Sequence, residues 1–217
     1  MTLPCLIVEP EIEATASVIW LHGLGADGHD FAPIIPELNL PDEHAVRFIF
    51  PHAPTLPVTI NNGHVMPAWY DILEMSIERN IDIDGLMKSS AEIAKLIDLE
   101  IGKGIDSERI LLAGFSQGGA VAYQCALTYQ KPLAGLLALS TYFATQSVIT
   151  PAAVNKQIPI LICHGTQDPV VPEMLGQMAR DQLLTLGYQV EYKTYPVAHN
   201  MCADEVADIG KWIGLLL

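Results

Sequence analysis

Residues 109–120 read Arg-Ile-Leu-Leu-Ala-Gly-Phe-Ser-Gln-Gly-Gly-Ala, an apolar run that leads into a serine flanked by glycines. Ile110–Ala113 predicts a buried strand, and a helix-compatible segment begins at Gly119. Between them lies the pattern G-x-S-x-G, in the strand-to-helix setting that this pattern requires. Glycines two residues before and after the serine permit a very tight turn, which pushes the Ser116 hydroxyl out of the sheet. The helix start also offers unpaired N–H groups and a positive dipole end to negative charge that forms near Ser116.

The glycine-flanked serine has two interpretations. A glycine-rich turn with an ordinary serine fits the five residues alone, because the pattern is short and the chain contains 16 glycines. The apolar strand before the pattern and the helix after it favour a nucleophile turn instead. Ser116 is therefore the candidate nucleophile.

Predicted strands and helices alternate along the chain. Strands are predicted at Ala16–Leu21, Val46–Phe50, Leu133–Leu139, Pro159–Cys163 and Val190–Tyr195, and helices at Leu86–Ile101, Pro172–Leu186 and Val206–Ile213, with a further helix-like piece that ends near Leu40. This alternation predicts an α/β fold with a mostly parallel central sheet, helices on both faces, and reactive groups in loops at the carboxyl ends of the strands. The segment Pro51–Pro67 holds four prolines and shows no clear period, so it is predicted to be a loop.

Length, composition and charge restrict the class of protein. The 217 residues favour a single domain that spans residues 1–217. Hydrophobic residues make up 50% of the chain and charged residues 17%, which predicts a well-filled core. A net charge of −14 with no cluster of basic residues argues against nucleic acid and anionic lipid as partners. Neither a secretory signal nor an apolar stretch long enough to span a bilayer is recognisable, so no stable membrane insertion is expected.

The cysteines and the potential metal ligands are scattered. The four cysteines stand far apart and form no C-x-x-C pair: Cys5, Cys125, Cys163 and Cys202. They predict reduced thiols in a cytoplasmic protein. No cluster of histidine, cysteine and carboxylate residues at metal-ligand spacing appears in the sequence, so no metal site and no cofactor are expected.

The loop after the first predicted strand carries a second glycine pattern. Residues 23–28 satisfy G-x-G-x-x-G, the pattern of a dinucleotide-binding turn. That motif also needs an acidic residue about 20 positions further on, at the end of the next strand. The next strand ends in Pro51-His52, and Asp42 and Glu43 precede it. The sequence therefore favours another role for the loop, in which a backbone N–H supplies half of an oxyanion hole and the residue after Ser116 supplies the other half.

A serine nucleophile needs a base, and chain order selects one. In hydrolases built on G-x-S-x-G, an acid and then a histidine follow the serine. Only His164 and His199 lie beyond Ser116, and no Asp or Glu lies between Ser116 and His164, so His199 is the candidate base. The acids available to it are Asp168, Glu173, Asp181 and Glu191. Among these only Asp168 falls in a loop directly after a predicted strand, which makes it the candidate acid.

The motifs together resemble the acyl-protein thioesterase and carboxylesterase family of α/β-hydrolases, nearly from end to end. The resemblance rests on His22-Gly23-Leu24-Gly25, on residues 114–119, on residues 164–172, on the His199 loop and on Met66-Pro67-Ala68-Trp69-Tyr70-Asp71. It implies a compact hydrolase for esters or thioesters of fatty acyl groups, with Ser116, Asp168 and His199 as the triad. It further implies that the N–H groups of Leu24 and Gln117 form the oxyanion hole.

The interval between the candidate nucleophile and base is too short for a helical cap domain, so an open site is expected, one that admits a bulky ester or a lipidated protein. Trp69 and the loop before it are predicted to shelter the acyl chain, the alternative being that Trp69 packs in the core.

Four alternatives stay open at this point. They are a general small-ester carboxylesterase, a lysophospholipase, a binding protein on a hydrolase fold that has lost catalysis, and a nucleotide-binding oxidoreductase that uses the 23–28 loop. The oligomeric state is also open, and a homodimer is compatible with the sequence.

Overall fold

A seven-stranded sheet is the frame of the molecule, in a computed structural model that describes residues 2–74 and 80–217. The strands in chain order are β1 (Cys5–Val8), β2 (Ala16–Leu21), β3 (Val46–Pro51), β4 (Thr55–Val58), β5 (His64–Pro67), β6 (Ile110–Phe115), β7 (Gly135–Leu139), β8 (Ile160–Gly165) and β9 (Val190–Tyr195). The sheet has the order β1-β3-β2-β6-β7-β8-β9, while β4 and β5 pair only with each other. All neighbours in the large sheet are parallel except β1, which runs antiparallel to β3.

The parallel register brings the candidate site residues to one edge of the sheet. Leu21 at the end of β2 pairs with Gly114 of β6, and Phe115 at the end of β6 pairs with Leu139 at the end of β7. Further along, β8 and β9 end together at Gly165 and Tyr195. The loops after β2, β6, β8 and β9 therefore leave the sheet side by side, as expected for an open α/β sheet.

Helices cover both faces of the sheet, as the sequence predicts. They are α1 (Ile83–Gly102), α2 (Gln117–Thr128), α3 (Glu173–Thr185) and α4 (Ala203–Leu216). Apolar residues of α1, α2 and α3 pack into one buried cluster, and α4 packs with the 3₁₀ segment Ala32–Leu38 into a second cluster on the opposite face. The helix-like piece predicted to end near Leu40 is this 3₁₀ segment.

The prediction of a loop over Pro51–Pro67 is wrong in part, because β4 and β5 form a hairpin there. Proline is tolerated because each strand of a two-stranded ribbon has an unpaired edge, where a missing N–H costs no ladder hydrogen bond. A local signal was present in Asn62-Gly63, a common hairpin turn pair, and both residues adopt positive φ, 55° and 73°. The edge strand β1 was also not predicted, since its four residues are too few to show a period.

The described ranges contain no separate cap domain, and none of their helices has the length and apolar character needed to cross a bilayer. All four cysteines are free thiols. The assignment of residues 1–217 to a single domain stays a prediction.

Candidate active site

The serine turn between β6 and α2 has the strained geometry that the sequence predicts. Ser116 has φ 54° and ψ −120°, a conformation that residues with a side chain rarely adopt. A Cβ on Gly114 would lie 2.5 Å from the carbonyl oxygen of Gly118, and a Cβ on Gly118 would lie 2.5 Å from the carbonyl oxygen of His22. Only glycine fits at either position. The Thr141 hydroxyl donates to the Ser116 carbonyl oxygen at 2.6 Å and helps to hold the turn.

Three loops bring the candidate nucleophile, base and acid into one hydrogen-bonded row. His199 Nε2 lies 2.9 Å from Ser116 Oγ, and His199 Nδ1 lies 2.6 Å from Asp168 Oδ2. Ser116 follows β6, Asp168 follows β8, and His199 follows β9. The Asp168 side chain is fully buried, whereas the His199 side chain retains 17% exposure and Ser116 retains 9%. The row therefore runs from the interior to a reactive end that a substrate can reach.

The surroundings of Asp168 keep its carboxylate charged. Burial by itself raises the pKa of Asp168, but the hydrogen bond to His199 and the N–H groups of Val171 and Val170 outweigh burial and lower the pKa below its usual value. The two N–H groups donate to Oδ1 at 2.9 and 2.8 Å, which leaves Oδ2 for the histidine. An ionised carboxylate accepts the His199 Nδ1–H, so the Nε2 lone pair faces the Ser116 hydroxyl.

His164 lies behind the candidate acid and does not approach Ser116 as a base would. Its Nε2 lies 2.7 Å from the Val171 carbonyl oxygen and 3.8 Å from Asp168 Oδ2. Burial lowers the pKa of His164, so the ring is neutral near pH 7 and donates Nε2–H to Val171. His164 thus supports the loop that carries the acid.

Two backbone N–H groups beside Ser116 are available to an oxyanion. Gln117 is the first residue of α2, so its N–H has no partner within the helix. In residues 2–74 and 80–217, neither the Gln117 N–H nor the Leu24 N–H donates to a protein acceptor. Their neighbour Gly25, in contrast, donates to Pro67 at 2.8 Å and ties the Leu24 loop to β5.

A buried hydrogen-bond chain through Trp69 connects the Gln117 side chain to the loop that carries Leu24. The Gln117 side chain accepts from the Trp69 N–H at 2.8 Å and donates to the Tyr70 carbonyl oxygen at 2.7 Å. The Trp69 indole N–H then donates to the His22 carbonyl oxygen at 2.8 Å, two residues before Leu24. Trp69 therefore links Gln117 to the Leu24 loop beside the candidate oxyanion hole.

The imidazole of His22 continues this chain into the loop after β2. Its Nε2 accepts the Ala53 N–H at 3.1 Å, so Nδ1 carries the proton that is shared with the Gly23 carbonyl oxygen at 2.7 Å. Burial lowers the pKa of His22, consistent with a neutral ring. Sequence reasoning gave no role to the His22 imidazole or the Gln117 side chain, because the Ala53 and Trp69 N–H groups that bind them are 31 and 48 residues away in the chain.

An apolar cavity of about 610 Å³ lies over Ser116, a size typical of small-molecule sites. Its walls come mainly from the Leu24 loop, the 3₁₀ segment and the His199 loop: Gly23, Leu24, Ala26, Asp30, Phe31, Ile34, Phe115, Ser116, Val170, His199, Asn200 and Met201. Trp69, the predicted acyl-chain wall, is absent from this lining and is only 1% exposed, which favours the alternative that it packs in the core. Phe31 and Ile34 line the cavity, and the role of Trp69 in substrate binding stays a prediction.

The geometry also argues against dinucleotide binding at residues 23–28. The loop continues into the 3₁₀ segment Ala32–Leu38, which contains Pro36, and not into an α-helix. The helix N-terminus that binds pyrophosphate in that motif is therefore missing here.

The sequence of this chain is similar to those of known hydrolases. The family model described as Phospholipase/Carboxylesterase matches residues 4–217. Acyl-protein thioesterase 1 of Neurospora crassa is 40% identical over 214 residues, which cover 94% of this chain and 87% of the relative. Acyl-protein thioesterase 1 of Gibberella zeae is 37% identical over 94% of this chain and 92% of its own length.

Solved structures agree with the sequence comparison. The crystal structure of Arabidopsis thaliana SOBER1 is 34% identical and has a TM-score of 0.86, covering 91% of this chain and 97% of that one. Zea mays acyl-protein thioesterase 2 is 27% identical with a TM-score of 0.85, covering 98% of both chains.

Proposed function

The chain belongs to the phospholipase/carboxylesterase family of hydrolases, and from this premise we propose that it cleaves acyl esters and acyl thioesters with Ser116, His199 and Asp168 as its catalytic triad. The observation that carries the proposal is the position of His199, with Nε2 2.9 Å from Ser116 Oγ and Nδ1 2.6 Å from Asp168 Oδ2. A neutral imidazole in this arrangement can take the serine proton. The buried carboxylate then stabilises the positive charge of the imidazolium that forms.

The first half of the proposed reaction acylates the serine. Ser116 Oγ attacks the acyl carbonyl carbon while His199 Nε2 takes the hydroxyl proton. The Leu24 and Gln117 N–H groups stabilise the negative charge on the carbonyl oxygen. His199 then gives the proton to the departing alcohol or thiol, and the acyl group stays on Ser116.

The second half releases the acid. Water attacks the acyl-enzyme as His199 takes one of its protons, a second tetrahedral intermediate forms at the same N–H groups, and Ser116 departs with the proton that His199 returns. Side chains, substrate and water account for every proton and bond in these steps, so the mechanism uses neither a metal ion nor an organic cofactor.

We further propose that the acyl group is a fatty chain of medium or greater length. Most side chains that line the cavity over Ser116 are apolar, with Asp30 as the acidic exception. Each methylene that a chain buries there contributes about 0.8 kcal/mol, so affinity should rise with chain length until the cavity is filled. The leaving group stays outside the cavity, which suits S-acylated protein as well as bulky ester substrates.

The relatives favour the protein substrate among the alternatives. Two of them are named acyl-protein thioesterase 1 and share 37–40% identity with this chain. A small-ester carboxylesterase and a lysophospholipase use the same triad, so the substrate is the point that separates them. We also propose a reducing, cytoplasmic location on the basis of the four free thiols, and a homodimer stays a prediction.

A substrate panel tests the proposal. The wild-type protein and Ser116→Ala are assayed with p-nitrophenyl esters and matched acyl thioesters of two to sixteen carbons, an S-palmitoylated peptide and a lysophospholipid. We expect kcat/KM to rise with chain length, the acylated peptide to be hydrolysed, and all turnover to require Ser116. Turnover of short esters alone would reject the acyl-protein substrate, and turnover that persists in folded Ser116→Ala would reject the triad.

A further inference from the structure

A cluster of metal-ligand side chains lies outside the candidate triad, on the loop after β2 and at the end of β3. It consists of Asp27, His29 and His52, whose ligand-capable atoms all lie within 4.8 Å of one another. The sequence does not reveal this cluster, because His52 reaches it from a different strand. The expectation of no metal site rests on spacing along the sequence, whereas these three side chains come together only in the folded chain.

The loop backbone already holds the three side chains close together. Asp27 Oδ1 accepts from the His29 N–H at 2.7 Å and lies 3.0 Å from His29 Nδ1. The Gly28 N–H donates to His52 Nδ1 at 3.1 Å, so the proton of that neutral ring lies on Nε2, and an ion can bind Nε2 only when the proton moves to Nδ1 and this hydrogen bond opens. The two imidazole rings face each other with centroids 5.3 Å apart. The Asp27–His29 contacts therefore leave His29 Nε2 free for an ion, whereas His52 needs a change of tautomer to bind one.

We propose that Asp27, His29 and His52 form a binding site for one divalent transition-metal ion of the Zn²⁺ class. Two imidazoles and one carboxylate match the ligand preference of Zn²⁺, whereas Mg²⁺ and Ca²⁺ prefer oxygen ligands throughout. Zn²⁺ binds these groups at about 2.0–2.2 Å. Side-chain rotation can close the remaining gap, since His29 is 68% exposed and Asp27 is 50% exposed. Three protein ligands leave at least one coordination position for water.

The position of the site gives it a consequence for catalysis, which rests on the proposed function. Asp27 and His29 belong to the same loop as Leu24, whose N–H we assign to the oxyanion hole. An ion that joins this loop to His52 restrains it against the end of β3. Bound metal therefore changes the rate of acyl transfer, although it takes no part in the chemistry.

The test measures binding directly and uses protein without a histidine tag. Chelator-treated protein is titrated with Zn²⁺ in a calorimeter and with Co²⁺ in a spectrophotometer, where ligand-field bands report the coordination. We expect one ion per chain. His29→Ala should weaken binding by more than about tenfold, because losing even an outer-shell partner of a metal ligand typically costs about 10–100-fold. Asp27→Asn should also weaken it.

A matched control separates the site from histidines in general. His64 is an exposed histidine on β5 and is not part of the cluster, so His64→Ala should bind like the wild-type protein. The absence of saturable one-to-one binding would overturn the site, and so would equal binding by His29→Ala. Binding lost in His199→Ala but kept in His29→Ala would place the ion at the triad and overturn it as well.

Kinetics with and without Zn²⁺ then test the consequence independently. The ion should change kcat/KM in the wild-type protein and in His64→Ala, and should have a much smaller effect in His29→Ala. Binding without any change in kcat/KM would overturn the coupling to the oxyanion loop. Inactivity of the wild-type protein on every substrate, both with and without Zn²⁺, would count against the proposed function and not against the metal site.

Discussion

Two serines at neighbouring strand ends, Ser116 after β6 and Ser140 after β7, share much of their local geometry. Both adopt positive φ, 54° and 44°, and each donates its N–H to a carbonyl oxygen on the next strand of the sheet. Their hydroxyls differ completely. Ser116 Oγ meets His199 Nε2 at 2.9 Å, whereas Ser140 is fully buried and its Oγ has no hydrogen-bond partner among the described residues.

The difference between the two serines comes from what surrounds the turn. Gly114 and Gly118 flank Ser116 and let the chain turn tightly from β6 into α2. The Ser116 side chain therefore points out from the end of the strand. No glycine flanks Ser140 at these spacings, and the next residue, Thr141, supports the Ser116 carbonyl oxygen instead. A strained backbone at a strand end is therefore not enough to make a serine a nucleophile. The hydroxyl must also be accessible to a substrate and lie beside a base.

The largest expected effect is the loss of activity on substitution of Ser116, which tests the difference between the two serines directly. Ser116→Ala should lower kcat by about four to six orders of magnitude, since it removes the proposed nucleophile. Ser140→Ala should leave kcat nearly unchanged, because it removes a hydroxyl that makes no hydrogen bond within the described residues. Steady-state kinetics with an activated ester measures both. Equal losses in the two variants would contradict the distinction.

Substitution of the two histidines that follow Ser116 in the chain tests which of them acts as the base. His199→Ala should reduce kcat about as severely as Ser116→Ala, because the residues of a triad act as a unit. His164→Ala should retain most of the activity and should lower the free energy of unfolding by about 1–3 kcal/mol, since it leaves the buried Val171 carbonyl oxygen without its donor. Kinetics and chemical denaturation on both variants separate the two roles. The reverse pattern would mean that the base is His164.

A smaller loss is expected at Trp69, which links Gln117 to the Leu24 loop beside the proposed oxyanion hole. Trp69→Phe keeps an aromatic ring in the core but removes the donor to the His22 carbonyl oxygen. The unsatisfied carbonyl costs about 1–3 kcal/mol, and if about half of this appears in the transition state, kcat falls about two- to tenfold for every acyl chain length.

The control for Trp69→Phe is a substitution of Phe31, which lines the cavity over Ser116. Phe31→Ala should leave acetyl esters almost unaffected and reduce kcat/KM for octanoyl esters several-fold, because each lost methylene contact is worth up to about 0.8 kcal/mol. Acyl esters of two to twelve carbons measure both variants. A chain-length-dependent loss in Trp69→Phe would support the sequence-based assignment of Trp69 to the acyl pocket.

The smallest effect on the rate is expected at the start of the helix that follows the His199 loop, where a substitution should change stability and leave catalysis unaltered. Burial raises the pKa of Glu205 in α4 to about 7. Its folded pKa lies above the unfolded value of 4.5, so the protonated form stabilises the fold at low pH. That contribution is lost as the pH rises from about 4.5 to 7 and amounts to roughly 3 kcal/mol.

Glu205→Gln imitates the protonated side chain. It should raise the free energy of unfolding at pH 8 and change it little at pH 4.5, as measured by urea denaturation at both values. The kinetic difference between Ser116 and Ser140 should be unaffected. A variant that is less stable at pH 8 would show that the charged carboxylate is needed in the fold.

Local patterns and chain order explain how much of this architecture could be predicted. The alternation of strands and helices predicts the parallel sheet, and the ends of parallel strands necessarily meet at one edge. That is why Ser116, Asp168 and His199 could be selected from strand-end loops by sequence alone, and in the structure they lie within hydrogen-bonding distance of one another. Their catalytic roles stay predictions.

The features that sequence reasoning missed depend on contacts between distant residues. The bond from the Trp69 indole to the His22 carbonyl oxygen joins residues 47 positions apart, and no pattern near Trp69 indicates it. A buried tryptophan and a pocket tryptophan look alike in sequence. The cluster of Asp27, His29 and His52 was missed for the same reason, since its third member arrives from another strand.

The most direct test of the central claim, that His199 activates Ser116, is the site of labelling by a fluorophosphonate probe. Such a probe reacts with an activated serine, and mass spectrometry of the digested adduct identifies the residue. We predict a single adduct on the peptide that contains Ser116, with labelling abolished in Ser116→Ala, strongly slowed in His199→Ala and normal in Ser140→Ala. An adduct on Ser140, or labelling of Ser116 that proceeds at the wild-type rate without His199, would contradict the claim.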